Sequence, residues 1–137
     1  MGKYLAVLLP LFFWLSGCGE DSGICAALNK CLAAPPQCDL YFKALILPEG
    51  CEEAIIDADC EDHYQEPPPY TDLCFPPCEE DSAVCDGDII TACYGGKTTT
   101  TKCPETCRLA GATYTGVCAD EYEGQQSEDG QDLCWCE

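Results

Sequence analysis

Positive charge is scarce in this sequence. Only 6 Lys+Arg stand against 25 Asp+Glu in 137 residues, a formal net charge of −19. Nucleic-acid binding needs a basic footprint, and this chain has none. Electrostatic attraction to anionic lipid needs Lys/Arg clusters, which are also missing. Histidine is limited to His63, and no Cys-x2-Cys pair occurs. The spacing that structural zinc modules favour is therefore absent. So are G-x-S-x-G, H-E-x-x-H and phosphate-loop patterns. Carboxylates are so numerous that pairs of them single out nothing. No catalytic activity, metal or cofactor is expected.

Aliphatic residues are few as well. From Cys18 onward, Leu, Ile, Val and Phe number 18 in 120 residues. With so much charge, that composition ordinarily predicts disorder. What the chain has in abundance is cysteine, 15 residues in all. This density marks a disulfide scaffold. Cross-links worth roughly 2–4 kcal/mol each supply the constraint that apolar burial cannot. Such bonds persist only in an oxidising compartment, which implies export. The fold class expected is small and disulfide-rich, with a helical Cys-rich N-terminal module and a β-rich C-terminal module holding one short helix.

Long hydrophobic runs are missing too. Leu5 to Leu15 (LAVLLPLFFWL) is the longest, at 11 residues. A spanning helix needs about 20, so this run reads as the apolar region of a signal peptide. Leu15-Ser16-Gly17-Cys18 follows and resembles the lipobox of bacterial lipoproteins. The resemblance implies cleavage before Cys18, a thioether-linked diacylglycerol on its sulfur and a further acyl chain, of the palmitate type, on its amino group. An ordinary signal peptidase site wants small residues at −1 and −3, and Leu15 at −3 fits poorly. Parity agrees: setting Cys18 aside leaves 14 cysteines, enough for seven bridges. Cytosolic myristoylation is disfavoured by Ala6, where that motif wants Ser or Thr. Two or more acyl chains anchor stably without a spanning helix. The partners so expected are a membrane, reached through Cys18, and a protein or surface ligand. Gly19 after the cysteine favours the outer membrane, by the same resemblance.

The domain reading is 1–17 signal peptide, 18–24 tether, 25–65 helical Cys-rich module, 66–77 Pro-rich linker and 78–137 disulfide-rich αβ or β module. Pro67-Pro68-Pro69 predicts an extended, stiff spacer. Cys25, Cys31, Cys38, Cys51 and Cys60 precede it and nine cysteines follow. Either one bridge crosses the break, or Cys74 joins the first group to make six and eight; the second arrangement is favoured. Ile24–Ala34, Leu40–Leu47 and Glu52–Asp59 read as short helices ended by Pro or Gly signals. Glu52 and Glu53 suit a first helical turn.

In the second module, Asp88–Cys93 and Lys97–Cys103 read as strands joined at Tyr94-Gly95-Gly96. Pro104–Ala110 reads as a helix with Pro at N1 and Gly111 at C′. Tyr114–Cys118 and Leu133–Cys136 read as further short strands. Cys103-x3-Cys107, Gly116-Val117-Cys118 and Cys134-Trp135-Cys136 are spaced for one another. Positions i and i+4 of a helix rise about 6 Å, and i and i+2 of a strand about 6.6 Å. Two parallel bridges can thus join such a helix to such a strand. The pattern resembles the cysteine-stabilised αβ fold of defensins and scorpion toxins. That resemblance implies Cys103–Cys134, Cys107–Cys136 and Cys93–Cys118. A purely β cysteine ladder, with Pro104–Ala110 only a turn, is the alternative. The whole architecture is similar to uncharacterised Cys-rich bacterial lipoproteins, a likeness that brings no activity with it.

Asp120, Glu121, Glu123, Glu128, Asp129 and Asp132 crowd one loop, read as solvated acid, with a Ca²⁺ loop as the alternative. Trp135 is expected to point away from Cys134 and Cys136. It then either covers the threonine hairpin or stands as an aromatic anchor for a partner. His63 is expected in solvent beside the Pro-rich spacer. The functional expectation is a membrane-anchored structural or interaction protein. The alternative is a tethered inhibitor or toxin-like ligand.

Overall fold

A computed structural model describes residues 23–137. Cys18, its lipobox-like context and the apolar run lie outside the described residues. The chain is a small disulfide-rich protein of mixed helix and sheet, held by seven bridges.

The first half is helical. Helix α1 (Gly23–Lys30) buries Ile24, Cys25, Ala27 and Leu28, a single face at helical spacing. It stops before the expected Ala34. Leu32 takes a left-handed φ of 56°, and the Ala33 N–H donates back to the Leu28 carbonyl at 2.9 Å. This is a Schellman-type stop built on a non-glycine residue. Helix α2 (Cys38–Ala44) follows, then α3 (Cys51–Asp57), with Glu52 and Glu53 in its first turn. Two short helices were not foreseen. In α4 (Cys60–His63), the Asp59 carboxylate accepts from the Asp62 N–H at 3.0 Å. The other is α5 (Thr71–Cys74). Ile24, Leu28 and Ile55 form a small core with Cys51 and Cys74, flanked by Phe42, Leu47 and Tyr70. Cys25–Cys38, Cys31–Cys60 and Cys51–Cys74 staple it. Cys74 thus belongs to the first group.

Residues 66–77 differ from the stiff spacer expected. Tyr70 packs on the helical core, α5 lies within the segment, and Cys74 is bonded to Cys51. The prolines are followed by Tyr70 and Phe75, which pack against the helical core and draw the chain back.

The second half begins with an antiparallel sheet in the order β1 (Ser82–Asp86), β2 (Ile89–Tyr94), β3 (Lys97–Lys102). Gly95 and Gly96 turn β2 into β3 with φ of 57° and 79°, a pair of values that hairpin turns need and glycine adopts freely. Helix α6 (Cys103–Leu109) carries Pro at its start. Strand β4 (Tyr114–Ala119) pairs with β7 (Leu133–Cys136). The tiny hairpin β5 (Glu121–Tyr122) and β6 (Gln125–Gln126) stands between them in sequence.

The two halves meet through backbone. Leu45 bridges Thr101, and the Ile46 N–H donates to the Thr100 carbonyl at 2.8 Å. The expected helix over Leu40–Leu47 therefore ends at Ala44, because its last residues pair with β3 and cover that open edge. Helix α2 also lies against α6.

Candidate functional site

Strand β7 organises the C-terminal half. Its alternation sends Cys134 inward, 8% exposed, and Trp135 to the opposite face. Inward, Cys134 meets Cys103 and Cys107, both fully buried, with Ile90, Tyr114 and Cys118 around them. Cys103 is bonded to Cys134 and Cys107 to Cys136, so α6 is tied twice to β7.

Cys93 and Cys118 are not bonded to each other. Cys93 bonds Cys78, and Cys118 bonds Cys85. The cause is β1, a strand the sequence reading overlooked. It pairs with β2 and also touches β4, carrying Cys85 to Cys118. The segment before it runs beside the β2–β3 turn, where the Cys78 N–H donates to the Gly96 carbonyl. Gly87-Asp88, a two-residue hairpin loop just before Ile89, could have revealed β1.

Outward, Trp135 packs against Tyr122 of the β5–β6 hairpin, with ring centroids 5.8 Å apart. It does not cover the threonine hairpin. Its indole N–H donates to the Ala119 carbonyl at 3.0 Å, which fixes the ring. Trp135 and Leu133 wall one side of an open groove of about 1020 Å³. Gln125, Glu128, Asp129 and Asp132 line the rest.

The acidic loop around this groove is ordered by its own backbone. The Ser127 hydroxyl donates to the Gln131 carbonyl at 2.6 Å, and Asp129 accepts from the Gln131 N–H at 3.1 Å. Asp132 reaches across to the first sheet. Its carboxylate accepts from the Cys85 N–H at 2.7 Å, and its own N–H donates to the Ala83 carbonyl at 3.3 Å. Asp132 thus imitates a neighbouring strand along the outer edge of β1. Two of the loop's acids are engaged in this way with backbone N–H groups. Among the described residues, the one set of candidate ligands whose atoms converge is sulfur, not carboxylate: Cys103, Cys118 and Cys134. All three are in disulfides, so none offers a thiolate to a metal.

His63 is not in solvent; it is 9% exposed. Its Nδ1 lies 3.0 Å from the Tyr70 hydroxyl, while Nε2 is buried without a partner. The Pro-rich segment folds back and lays Tyr70 over it, with ring centroids 5.7 Å apart. Burial, helped by the nearby Asp62 charge, raises the Tyr70 phenol above its ordinary 10.0. The phenol thus holds its proton, and its contact with His63 ties the Pro-rich segment to α4.

Among the described residues no helix is long and apolar enough to cross a membrane. No family model, curated protein or solved structure matches this chain.

Proposed function

We propose that this chain is an exported lipoprotein, anchored to the bacterial envelope by acyl chains on Cys18 and presenting a disulfide-built interaction surface. The outer membrane is the favoured site. The role is structural or one of interaction with a partner, rather than catalytic. The observation that carries the interaction reading is the groove beside β7. An indole fixed by its own hydrogen bond stands next to an acidic loop on a cross-linked frame. Aromatic side chains held rigidly at a concave surface are favoured contact residues. Leu15-Ser16-Gly17-Cys18 supports the anchor.

Mass spectrometry of the N-terminal peptide from detergent-extracted membranes tests the anchor. The expected peptide begins at Cys18 and carries the mass of two or three acyl chains, and Cys18→Ser releases the protein from the membrane fraction. A peptide that begins elsewhere, or an unmodified Cys18, overturns it.

The second reading, a tethered inhibitor or toxin-like ligand, is favoured by the double tie of α6 to β7. Lysis of anionic membranes does not fit a region of net negative charge, since cationic character drives that attack. Inhibition of secreted proteases by the intact protein, lost in Trp135→Ala, separates this reading from the first.

A further inference from the structure

Two of the seven bridges lie nearly in contact. The Sγ atoms of Cys103, Cys118 and Cys134 are all within 4.8 Å of one another. They belong to separate disulfides, Cys85–Cys118 and Cys103–Cys134. Cys118 and Cys134 are also direct register partners across β4 and β7. Opposed residues of an antiparallel pair have Cα atoms about 4.5–5.5 Å apart. Disulfides accept Cα separations of about 4.4–6.8 Å. The fold therefore offers Cys118 a second partner without moving a strand.

We infer that Cys85–Cys118 is a thiol-responsive site whose opening is passed inward, exchanging the helix-to-strand bond Cys103–Cys134 for a strand-to-strand bond Cys118–Cys134. The reactant is a thiol, from a dithiol oxidoreductase or a small-molecule donor. Its thiolate attacks the Cys85 sulfur, and the Cys85–Cys118 bond breaks. The donor becomes a mixed disulfide on Cys85, and the electron pair leaves on the Cys118 sulfur. The Cys118 thiolate then attacks the Cys134 sulfur, forming Cys118–Cys134 and expelling the Cys103 thiolate, which takes a proton. Each step breaks one S–S bond and makes one, so no further oxidant or reductant is consumed. A second thiol of the donor frees Cys85.

Position explains the direction. Cys85 is half-buried on an outer strand, whereas Cys103 is fully buried and Cys134 is 8% exposed. Of these two bridges, Cys85–Cys118 joins two half-buried residues and is the one a reagent reaches first, and the inner bond is reached through Cys118. After exchange, α6 keeps one tie to β7, Cys107–Cys136. The consequence is a controlled loosening of α6, which lies against α2 of the other half. This inference is independent of the proposed anchor.

The test uses the full chain. Cys85→Ser leaves Cys118 without its present partner. The purified variant is acid-quenched, unfolded, alkylated and mapped by mass spectrometry. The expected result is a Cys118–Cys134 cross-linked peptide with the alkyl label on Cys103. An intact Cys103–Cys134 bond with the label on Cys118 overturns the inference. A second measurement needs no variant. Native protein is opened partially with a dithiol at pH 8, or with a phosphine at pH 3, where protonated thiols do not exchange. Molecules labelled at Cys85 should carry their second label on Cys103 at pH 8 and on Cys118 at pH 3. Label on Cys118 at both pH values overturns the relay. Opening of Cys103–Cys134 before Cys85–Cys118 overturns the order.

Discussion

The two halves of this molecule solve one problem differently. In the helical half, Ile24, Leu28 and Ile55 meet in a small apolar core, and three bridges staple helices that already share a buried face. In the second half, the buried cluster is Cys103, Cys107 and Cys134, with half-buried Ile90 and Tyr114 around it. There the bridges are the core. A chain too poor in aliphatic residues for two cores has built one from aliphatic side chains with a buried disulfide among them and the other chiefly from disulfides.

Removing one bridge from each half is the strongest way to break this comparison. Cys103→Ala/Cys134→Ala should cost about 5 kcal/mol, the upper end for a lost native disulfide in a small domain. Cys25→Ala/Cys38→Ala, which closes a shorter loop of sequence separation 13 against 31, should cost about 2–3 kcal/mol. Denaturant unfolding of the two variants measures both. Equal losses would mean that the halves do not differ as described.

Aliphatic truncation should reverse the ranking. Leu28→Ala should destabilise by about 3 kcal/mol, because Leu28 is 6% exposed within the aliphatic core. Ile90→Ala, at the half-buried margin of the disulfide core, should cost about 1 kcal/mol. The same unfolding experiment decides.

Asp132→Ala should cost about 2 kcal/mol, since it leaves the Cys85 N–H without its charged acceptor. Hydrogen exchange should quicken along β1 while the helical half is unaffected.

An effect as small as that of Ile90→Ala belongs to Tyr70. Tyr70→Phe should cost about 1 kcal/mol, the loss of one hydrogen bond to His63. The raised Tyr70 phenol also gives a pH signature. The folded state keeps that proton where the unfolded chain has lost it. Stability therefore falls as pH climbs from about 10 toward the folded value. The Phe variant should show a shallower fall in an alkaline series of unfolding midpoints.

Much of the architecture was legible where a local signal was also the winning physics. Pro104 and Gly111 bracket α6, and Gly95-Gly96 marks the turn of the threonine hairpin. The run of helix-forming residues from Ile24, ahead of Pro35-Pro36, marks α1, though the helix ends at Lys30. Failures came where a distant partner overrode the local pattern. Leu45 and Ile46 left their helix to pair with Thr101 and Thr100. His63 looked exposed because its cover, Tyr70, arrives by a fold-back of the proline segment. Cys93 lost its expected partner because β1, lying against β4, supplied Cys85 instead. Of the groove, Trp135 and the acids were legible as residue types. The register that makes Asp132 a backbone mimic for β1 depends on tertiary placement and carries no local signature.

The order of the bridges along the chain has a further consequence. Those of the first half overlap without a gap from Cys25 to Cys74, and those of the second from Cys78 to Cys136. A protease that nicks any single peptide bond inside either stretch leaves the polymer in one covalent piece. Phe75-Pro76-Pro77 is the exception. A cut there severs the described chain into two fragments, and only their shared surface would still hold the distal fragment to the proximal one.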